Sequence, residues 1–438
     1  MLSLVWVFLL FPHPLFLLYI YPLSFATSIA PHTNLSLSLS FSFSLLFTSL
    51  FFMGAIDVSV IAKTEGESMV KREEERMREA EYLKGVRHLC DTGVTKVPSR
   101  YILPAPERPH IVRCGDISSS HNLKLPIIDL SLLHTPKRAV ALEALSMACK
   151  EYGFFQVVNH GIPSEVIKDM IDVSKRFFGM PYDEREKYMS SDLRSPVRYG
   201  TSFNQIKDRV FCWRDFLKLN CQPLESVLPF WPSSPADMRD KTIAYANGMK
   251  SLFKELMSAI LESLGVSKKV LSEFDDGSHL MVVNCFPPCP EPNLTLGMPP
   301  HSDYGFLTLL LQDQVAGLQV QYKDEWVTIE PVPGAFVVNI GDHLEIFSNG
   351  IYKSILHRVL VNSLQNRISI ASLHSMPIEK VISTAAELVS ESSPKRYMDT
   401  DFATFLNYIS STETKKKNFL ESRKLTCTRD QTTEGQLC

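Results

Sequence analysis

His301, Ser302 and Asp303 set an imidazole and a carboxylate two positions apart, and on an extended chain alternate side chains share a face. One metal ion could take both as ligands. Far downstream, His357 stands among aliphatic residues in Ser354-Ile355-Leu356-His357-Arg358-Val359, where a buried ring nitrogen needs a partner. A shared metal would supply it. Two neutral imidazoles and one carboxylate form the facial set that holds non-haem Fe(II) and leaves coordination positions open, whereas a structural zinc site closes its fourth position. Beyond His357 comes Arg367-Ile368-Ser369, and even spacing on a continuous strand would keep Arg367 and Ser369 on the face of His357. A guanidinium grips a carboxylate with two parallel hydrogen bonds and stays charged in an apolar pocket. The guest described is a small dicarboxylate that also reaches the metal, and 2-oxoglutarate fits.

Other residues compete for these roles. A core histidine beside a carboxylate would also write His-x-Asp. His343-Leu344-Glu345, preceded by Gly341-Asp342, repeats the spacing but lacks an Arg-x-Ser at matching distance. His160 and His374 read as structural or pocket-lining. Cys285 and Cys289 read as packing, because no further thiolate pair accompanies them. Nine cysteines without a C-x-x-C pair fit free thiols in a reducing compartment.

The positioning elements follow from hydrophobic period. Leu125 to Leu130 is a short apolar strand, Ala139 to Tyr152 repeats at helical spacing and stops at Gly153, and Phe154 to Gly161 is a second strand closed by a turn. Helices are expected at about 164–178 and 235–264. Between them a polar segment carries Tyr199, Phe203, Trp213 and Phe216, which with Leu373 are pocket candidates. From Leu280 to about Ser375, short Val-, Ile-, Leu- and Phe-rich runs are punctuated by Pro, Gly and Asn. This predicts a mainly β protein with flanking helices, its core a double-stranded β-helix (jelly roll) behind an N-terminal α/β region. The expected divisions are a leader 1–52, a polar helical extension 53–120, an α/β region 121–270, the jelly roll 271–380 and a helical tail 381–438.

At 438 residues the chain has room for two or three domains of about 150 residues each, or for one larger β domain with helical extensions. With 45 Lys and Arg against 48 Asp and Glu, no global positive field favours nucleic acid. Lys71 to Glu81 is a mixed-charge run that reads as a solvated helix. From Met1 to Phe52 no Asp, Glu, Lys or Arg occurs. Pro12, Pro14, Pro22 and Pro31 interrupt this stretch, and no basic region or charged anchor flanks it. Ser, Leu, Phe and Pro are also what pyrimidine-only codons encode, so the mature chain is expected to begin at Met53. Met53-Gly54 would suit myristoylation, but Val58 stands where Ser or Thr is required. The expectation is a cytoplasmic monomer, with the nucleus also open to it and no stable membrane association if residues 1–52 are not expressed.

Asn284-Cys285-Phe286-Pro287-Pro288-Cys289-Pro290, His301-Ser302-Asp303, His357 and Arg367-Ile368-Ser369 together resemble the plant Fe(II)/2-oxoglutarate-dependent dioxygenases. Pro126 to Leu130 and Gly153 to Gly161 resemble that family's N-terminal region, and the likeness runs roughly from Lys84 to Leu425. Among branches, the chain is most similar to the flavanone-hydroxylase-like and downy-mildew-resistance-type enzymes. The resemblance implies that His301, Asp303 and His357 bind Fe(II) and carry the catalysis. Arg367 and Ser369 would take the distal carboxylate of 2-oxoglutarate, with Asn284 as a further contact. It implies dioxygen as co-substrate and ascorbate as activator. The substrate would be a small plant metabolite of flavonoid, phenolic acid or gibberellin type, hydroxylated or desaturated as 2-oxoglutarate is decarboxylated to succinate. An ascorbate-dependent oxidase of the same fold, or a non-catalytic metal- or ligand-binding jelly roll, are the alternatives. One departure stands out: the family often reads Asn-Tyr-Tyr-Pro where this chain has Asn284-Cys285-Phe286-Pro287, so a tyrosine hydroxyl that often contacts 2-oxoglutarate is missing.

Overall fold

The computed structural model describes residues 58–109, 124–202, 208–411 and 419–425; the leader, Met53 and Phe203 lie outside the described residues. The mixed-charge run falls in helix α1 (Val58–Leu83), where Arg76 pairs with Glu73 one turn away. A short helix α2 (Val86–Asp91) follows. The expected strand, helix, strand unit is present: β1 (Ile127–Asp129) pairs parallel with β2 (Phe154–Val158) through the crossover helix α3 (Arg138–Glu151). Gly153 makes the sharp entry into β2 at φ +62°, where a Cβ would stand 2.3 Å from the Lys353 carbonyl oxygen. Only glycine meets both demands.

After helix α4 (Ser164–Phe178) come β3 (Val197–Thr201), β4 (Asp215–Asn220), the long helix α5 (Met238–Leu264) and β5 (Ser278–Phe286). The remaining strands are β6 (Met298–His301), β7 (Leu307–Gln312), β8 (Leu318–Tyr322), β9 (Glu325–Thr328), β10 (Phe336–Ile340), β11 (His357–Val359) and β12 (Arg367–Ser375), with helix α6 (Asp342–Phe347) before β11 and helix α7 (Phe402–Ser411) at the end. Eight strands form one sheet in the order β1-β2-β10-β7-β12-β5-β4-β3, and four form a second in the order β6-β11-β8-β9. This is the jelly roll with the N-terminal strands added to both edges of its larger sheet. Pro299 and Pro300 cannot donate to a ladder, which suits β6 to its edge position.

The two faces of the large sheet differ. Outward residues such as Met281, Val283, Ile368 and Ile370 join the main core with Leu252, Leu256, Met257 and Ile260 of α5. Truncating a side chain there, as in Leu256→Ala, costs about 2–5 kcal/mol. On β5 burial alternates, with Leu280 and Val282 partly open between fully buried neighbours. Cross-strand register carries that face to Leu373 and Ala371 of β12 and Leu310 of β7, which are also partly open. Central strands with accessible side chains on one face enclose a cavity between the sheets. No helix among the described residues is long and apolar enough to cross a membrane.

One expectation fails usefully. The strand expected to run on from His357 toward Arg367 is confined to His357–Val359, and before it Ser354 is drawn to α6 by its amide on Glu345 Oε2 and its hydroxyl on Asp342 Oδ1. His357 and Arg367 therefore belong to different sheets, and no continuous strand links them.

Candidate active site

β6 and β11 pair so that His301 lies opposite His357, their ring centroids 4.1 Å apart. Asp303, just past the end of β6, presents Oδ1 at 3.6 Å from Nε2 of both histidines. The other carboxylate oxygen accepts from Thr308 Oγ1 at 2.6 Å and Asn339 Nδ2 at 2.9 Å, and the Asp303 carbonyl accepts the Asp342 amide at 2.8 Å. His301 Nδ1 lies 2.9 Å from the Pro299 carbonyl and His357 Nδ1 lies 3.4 Å from the Ile355 carbonyl. Since a carbonyl only accepts, Nδ1 carries the proton in each ring and Nε2 presents its lone pair toward Asp303. Burial, with His357 adding to it, pushes His301 down to about 4. Burial pushes Asp303 up, but His357, His301, Thr308 and Asn339 together hold it below the usual carboxylate range. A neutral imidazole and an ionised carboxylate are the protonation states a metal requires. Ligand atoms of His301, Asp303 and His357 all lie within 4.8 Å of one another, so two nitrogens and one oxygen converge on a single point. The donor set and the oriented lone pairs fit Fe(II).

Across the cavity, Arg367 is 2% exposed. Its Nη2 donates to Gln312 Oε1 at 2.6 Å, Nη1 to Ser369 Oγ at 3.2 Å and Nε to the Val315 carbonyl at 3.1 Å. Burial pushes its guanidinium down to about 10, so it remains charged at neutral pH. Ser369 pairs in register with Asn284 on one side and Gln312 on the other, which brings Arg367, Ser369 and Asn284 to one inward patch. Phe286 lies opposite Arg367 with its ring centroid 5.2 Å from the guanidinium carbon. Gly297 makes room for that ring: a Cβ there would meet it at 2.6 Å.

The remaining expectations sort by face. His343 and Glu345 diverge on α6: His343 Nδ1 lies 2.7 Å from Ser375 Oγ, while Glu345 accepts from Tyr397 Oη at 2.7 Å. Residues two apart on a helix do not share a side, so this repeated spacing makes no site. His160 bridges the Ile162 amide and the Gly334 carbonyl, and His374 stacks on His279 and Phe253. Cys285 and Cys289 are buried free thiols. Tyr199 and Trp213 are core residues that bond Asp215 and the Pro287 carbonyl, whereas Phe216 and Leu373 share the inward face with Asn284 and Thr308. Thr308, Asn339, Gln312 and Arg214 went unnoticed in the sequence. The first and third were signalled as the two polar residues of the otherwise aliphatic Leu307–Gln312 strand.

A jelly roll whose cavity holds a His, Asp, His cluster facing a buried Arg and Ser defines a non-haem Fe(II), 2-oxoglutarate-dependent oxygenase. Residues 277–375 match the family model of the 2OG-Fe(II) oxygenase superfamily and residues 125–234 that of the non-haem dioxygenase in morphine synthesis N-terminal region. The chain is 44% identical to Protein DMR6-LIKE OXYGENASE 1 of Arabidopsis thaliana, over 67% of this chain and 84% of the relative, and 40% identical to Flavanone 3-dioxygenase 2 of Oryza sativa subsp. japonica, over 69% and 86%. Among solved structures, JOX2 in complex with 2OG, Fe and JA superposes with a TM-score of 0.69 at 33% identity, covering 78% of this chain and 98% of that one. The chain belongs to the plant 2-oxoglutarate-dependent dioxygenases, in the branch of the downy-mildew-resistance and flavanone 3-dioxygenase proteins. It is an oxidoreductase whose cofactor is Fe(II) and whose co-substrates are 2-oxoglutarate and dioxygen.

Proposed function

We propose that His301, Asp303 and His357 bind Fe(II), that Arg367, Ser369 and Asn284 bind 2-oxoglutarate, and that the enzyme hydroxylates or desaturates a small, largely apolar plant metabolite. The observation that carries the residue assignment is the convergence of the triad on one point, facing a buried arginine that, among the described residues, forms no salt bridge, with Asp313 only within electrostatic reach. Bound Fe(II), 2-oxoglutarate and dioxygen supply the oxidising chemistry. The chain's residues bind and orient. Thr308 and Asn339 fix one Asp303 oxygen so that the other faces the metal position. The Pro299 and Ile355 carbonyls set both imidazole tautomers. Gln312 and Ser369 hold the Arg367 fork against rotation, so little ordering remains to be done when a carboxylate arrives. Leu280, Val282 and Leu373 give the substrate an apolar seat and exclude water from the reacting carbon.

Support for the substrate class comes from the relatives' names: Flavanone 3-dioxygenase 2 of rice is named for a flavanone, and Feruloyl CoA ortho-hydroxylase 1 of Arabidopsis thaliana, 36% identical, for feruloyl CoA. Ascorbate is expected as activator. The proposal includes a cytoplasmic monomer, checked by light scattering and by imaging of a fluorescent fusion. The test is succinate formation by the full chain with Fe(II), ascorbate and 2-oxoglutarate against flavanones, phenolic acids and gibberellins. Substrate-stimulated succinate that disappears in His357→Ala supports the reading. Turnover that persists when 2-oxoglutarate is omitted would place the enzyme with the ascorbate-dependent oxidases instead.

A further inference from the structure

The inward face carries three cations that neither the metal nor the 2-oxoglutarate patch accounts for. Arg214, immediately before β4, is 4% exposed, and its Nε has no hydrogen-bond partner. Its other nitrogens reach the Ser202 carbonyl at 2.7 Å, Asn284 Oδ1 at 3.1 Å and the Met298 sulfur. Lys218 donates to the Leu193 carbonyl at 2.9 Å, and Arg198, its cross-strand neighbour, donates to the Ser190 carbonyl at 3.0 Å. Both arginines lie against the Phe216 ring, at 5.5 Å and 4.9 Å. Asp192 lies within electrostatic reach of Lys218 and Arg198, and Asp208 and Asp215 within reach of Arg214. Among the described residues, though, no salt bridge joins a carboxylate to any of the three.

A carbonyl satisfies a donor without neutralising its charge. Burying a charge without a counter-ion costs several kcal/mol, and burial holds all three side chains below their ordinary pKa. The cluster is also placed to meet a ligand. Register runs from Lys218 to Val282 and on to Ala371, the partly open row beside the apolar seat. Arg214 touches Asn284 at its side, and its charge reaches His301.

We infer that the substrate carries an anionic group, a carboxylate in the simplest case, which docks against Arg214 and Lys218 while its apolar body rests on Leu280, Val282 and Leu373. The inference rests on the oxygenase reading of the site and narrows its substrate class. The 1-carboxylate of 2-oxoglutarate offers the same chemistry to Arg214. Lys218 favours the substrate, because it stands one row of the sheet away from Asn284 and Ser369 and two strands from β12.

The test uses full-length protein loaded with Mn(II) and 2-oxoglutarate and a panel of aromatic and terpenoid carboxylic acids, each matched to its methyl ester. Binding is read by calorimetry, and turnover of the Fe(II) enzyme by succinate. At least one acid should bind tenfold or more tightly than its ester. Lys218→Gln should reduce that ratio to below threefold while leaving the 2-oxoglutarate dissociation constant within twofold. Arg214→Gln should also reduce the ratio, and Arg214→Lys, which keeps a charge at the site, should retain part of it if the glutamine variant does not fold. A panel in which no acid is preferred over its ester overturns the inference, as does a loss confined to 2-oxoglutarate affinity in both variants. Neither result touches the oxygenase reading, which fails separately if 2-oxoglutarate does not bind the metal-loaded wild type.

Discussion

The two faces of the eight-stranded sheet treat buried arginine in opposite ways. On the outer face Arg185, fully buried, sits 3.8 Å from Asp215 and 3.7 Å from Asp91 and donates to Tyr199 Oη at 2.8 Å. Asp215 in turn accepts the Val86 and Arg87 amides at 2.7 and 2.9 Å and the Tyr199 hydroxyl at 3.0 Å. Each charge answers another, and the network fastens α2 to β4. On the inner face Arg367, Arg214, Arg198 and Lys218 are held by neutral carbonyl, amide, hydroxyl and sulfur groups. Arg185 Nε and Nη2 make no hydrogen bond, yet its charge meets carboxylates inside the folded chain, whereas the inner charges bond only neutral groups and await what binds. The first arrangement serves stability and the second spends stability on function.

Removing metal ligation gives the largest expected effect. Asp303→Ala should lose iron and reduce succinate formation by at least about a thousandfold; an enzyme that keeps its iron and turns over would break the assignment of the triad. The next pair tests the comparison itself. Asp215→Ala leaves Arg185 without its buried counter-charge, so it should lose about 3–5 kcal/mol in denaturant unfolding. Arg367→Met should change stability little or raise it, and weaken 2-oxoglutarate by about 2–5 kcal/mol, more than tenfold. If the two variants destabilise equally, the faces do not differ as described. A smaller change is expected from Phe286→Tyr, whose added hydroxyl would restore about 0.5–1.5 kcal/mol, a two- to tenfold lower Michaelis constant for 2-oxoglutarate. An unchanged or higher constant would show that Gly297 and the surrounding packing keep that hydroxyl from the ligand.

pH gives the finest discrimination. Burial, with Arg198 adding to it and Asp192 opposing it, holds Lys218 down to about 8. A lysine whose value is lowered discharges as pH rises through that lowered value, so preference for an acid over its ester should weaken between pH 7 and 9. Lys218→Arg should hold its preference across that range. A flat wild-type profile removes Lys218 from the docking group.

How much of this was legible in the sequence differs between the elements. Period and punctuation located β2, α3, α4, α5 and the run of short strands, because half-buried strands and amphipathic helices write their faces into two- and 3.6-residue repeats. The triad and Arg-x-Ser were readable because polar groups in aliphatic strands demand partners. Their mutual placement was not. The idea that His357 and Arg367 share a strand failed, since the chain crosses between sheets after β11, a tertiary event with no local signature. Arg214 and Lys218 were missed for a related reason: a basic residue at a strand is ordinary in sequence, and only cross-strand register shows that no carboxylate stands opposite. Tyr199 looked like a pocket aromatic because sequence alone does not say which face of its strand turns inward, and Trp213, just before β4, because nothing local shows that its indole bonds the Pro287 carbonyl.

The account stands most directly on one titration, of 2-oxoglutarate into the full-length protein loaded with Mn(II), followed by calorimetry in wild type, in Arg367→Met and in metal-free protein. It predicts one-site binding to the loaded wild type that weakens at least tenfold without Arg367 and again without metal. Binding that ignores either change would contradict the assignment of Arg367 and the triad to a shared ligand.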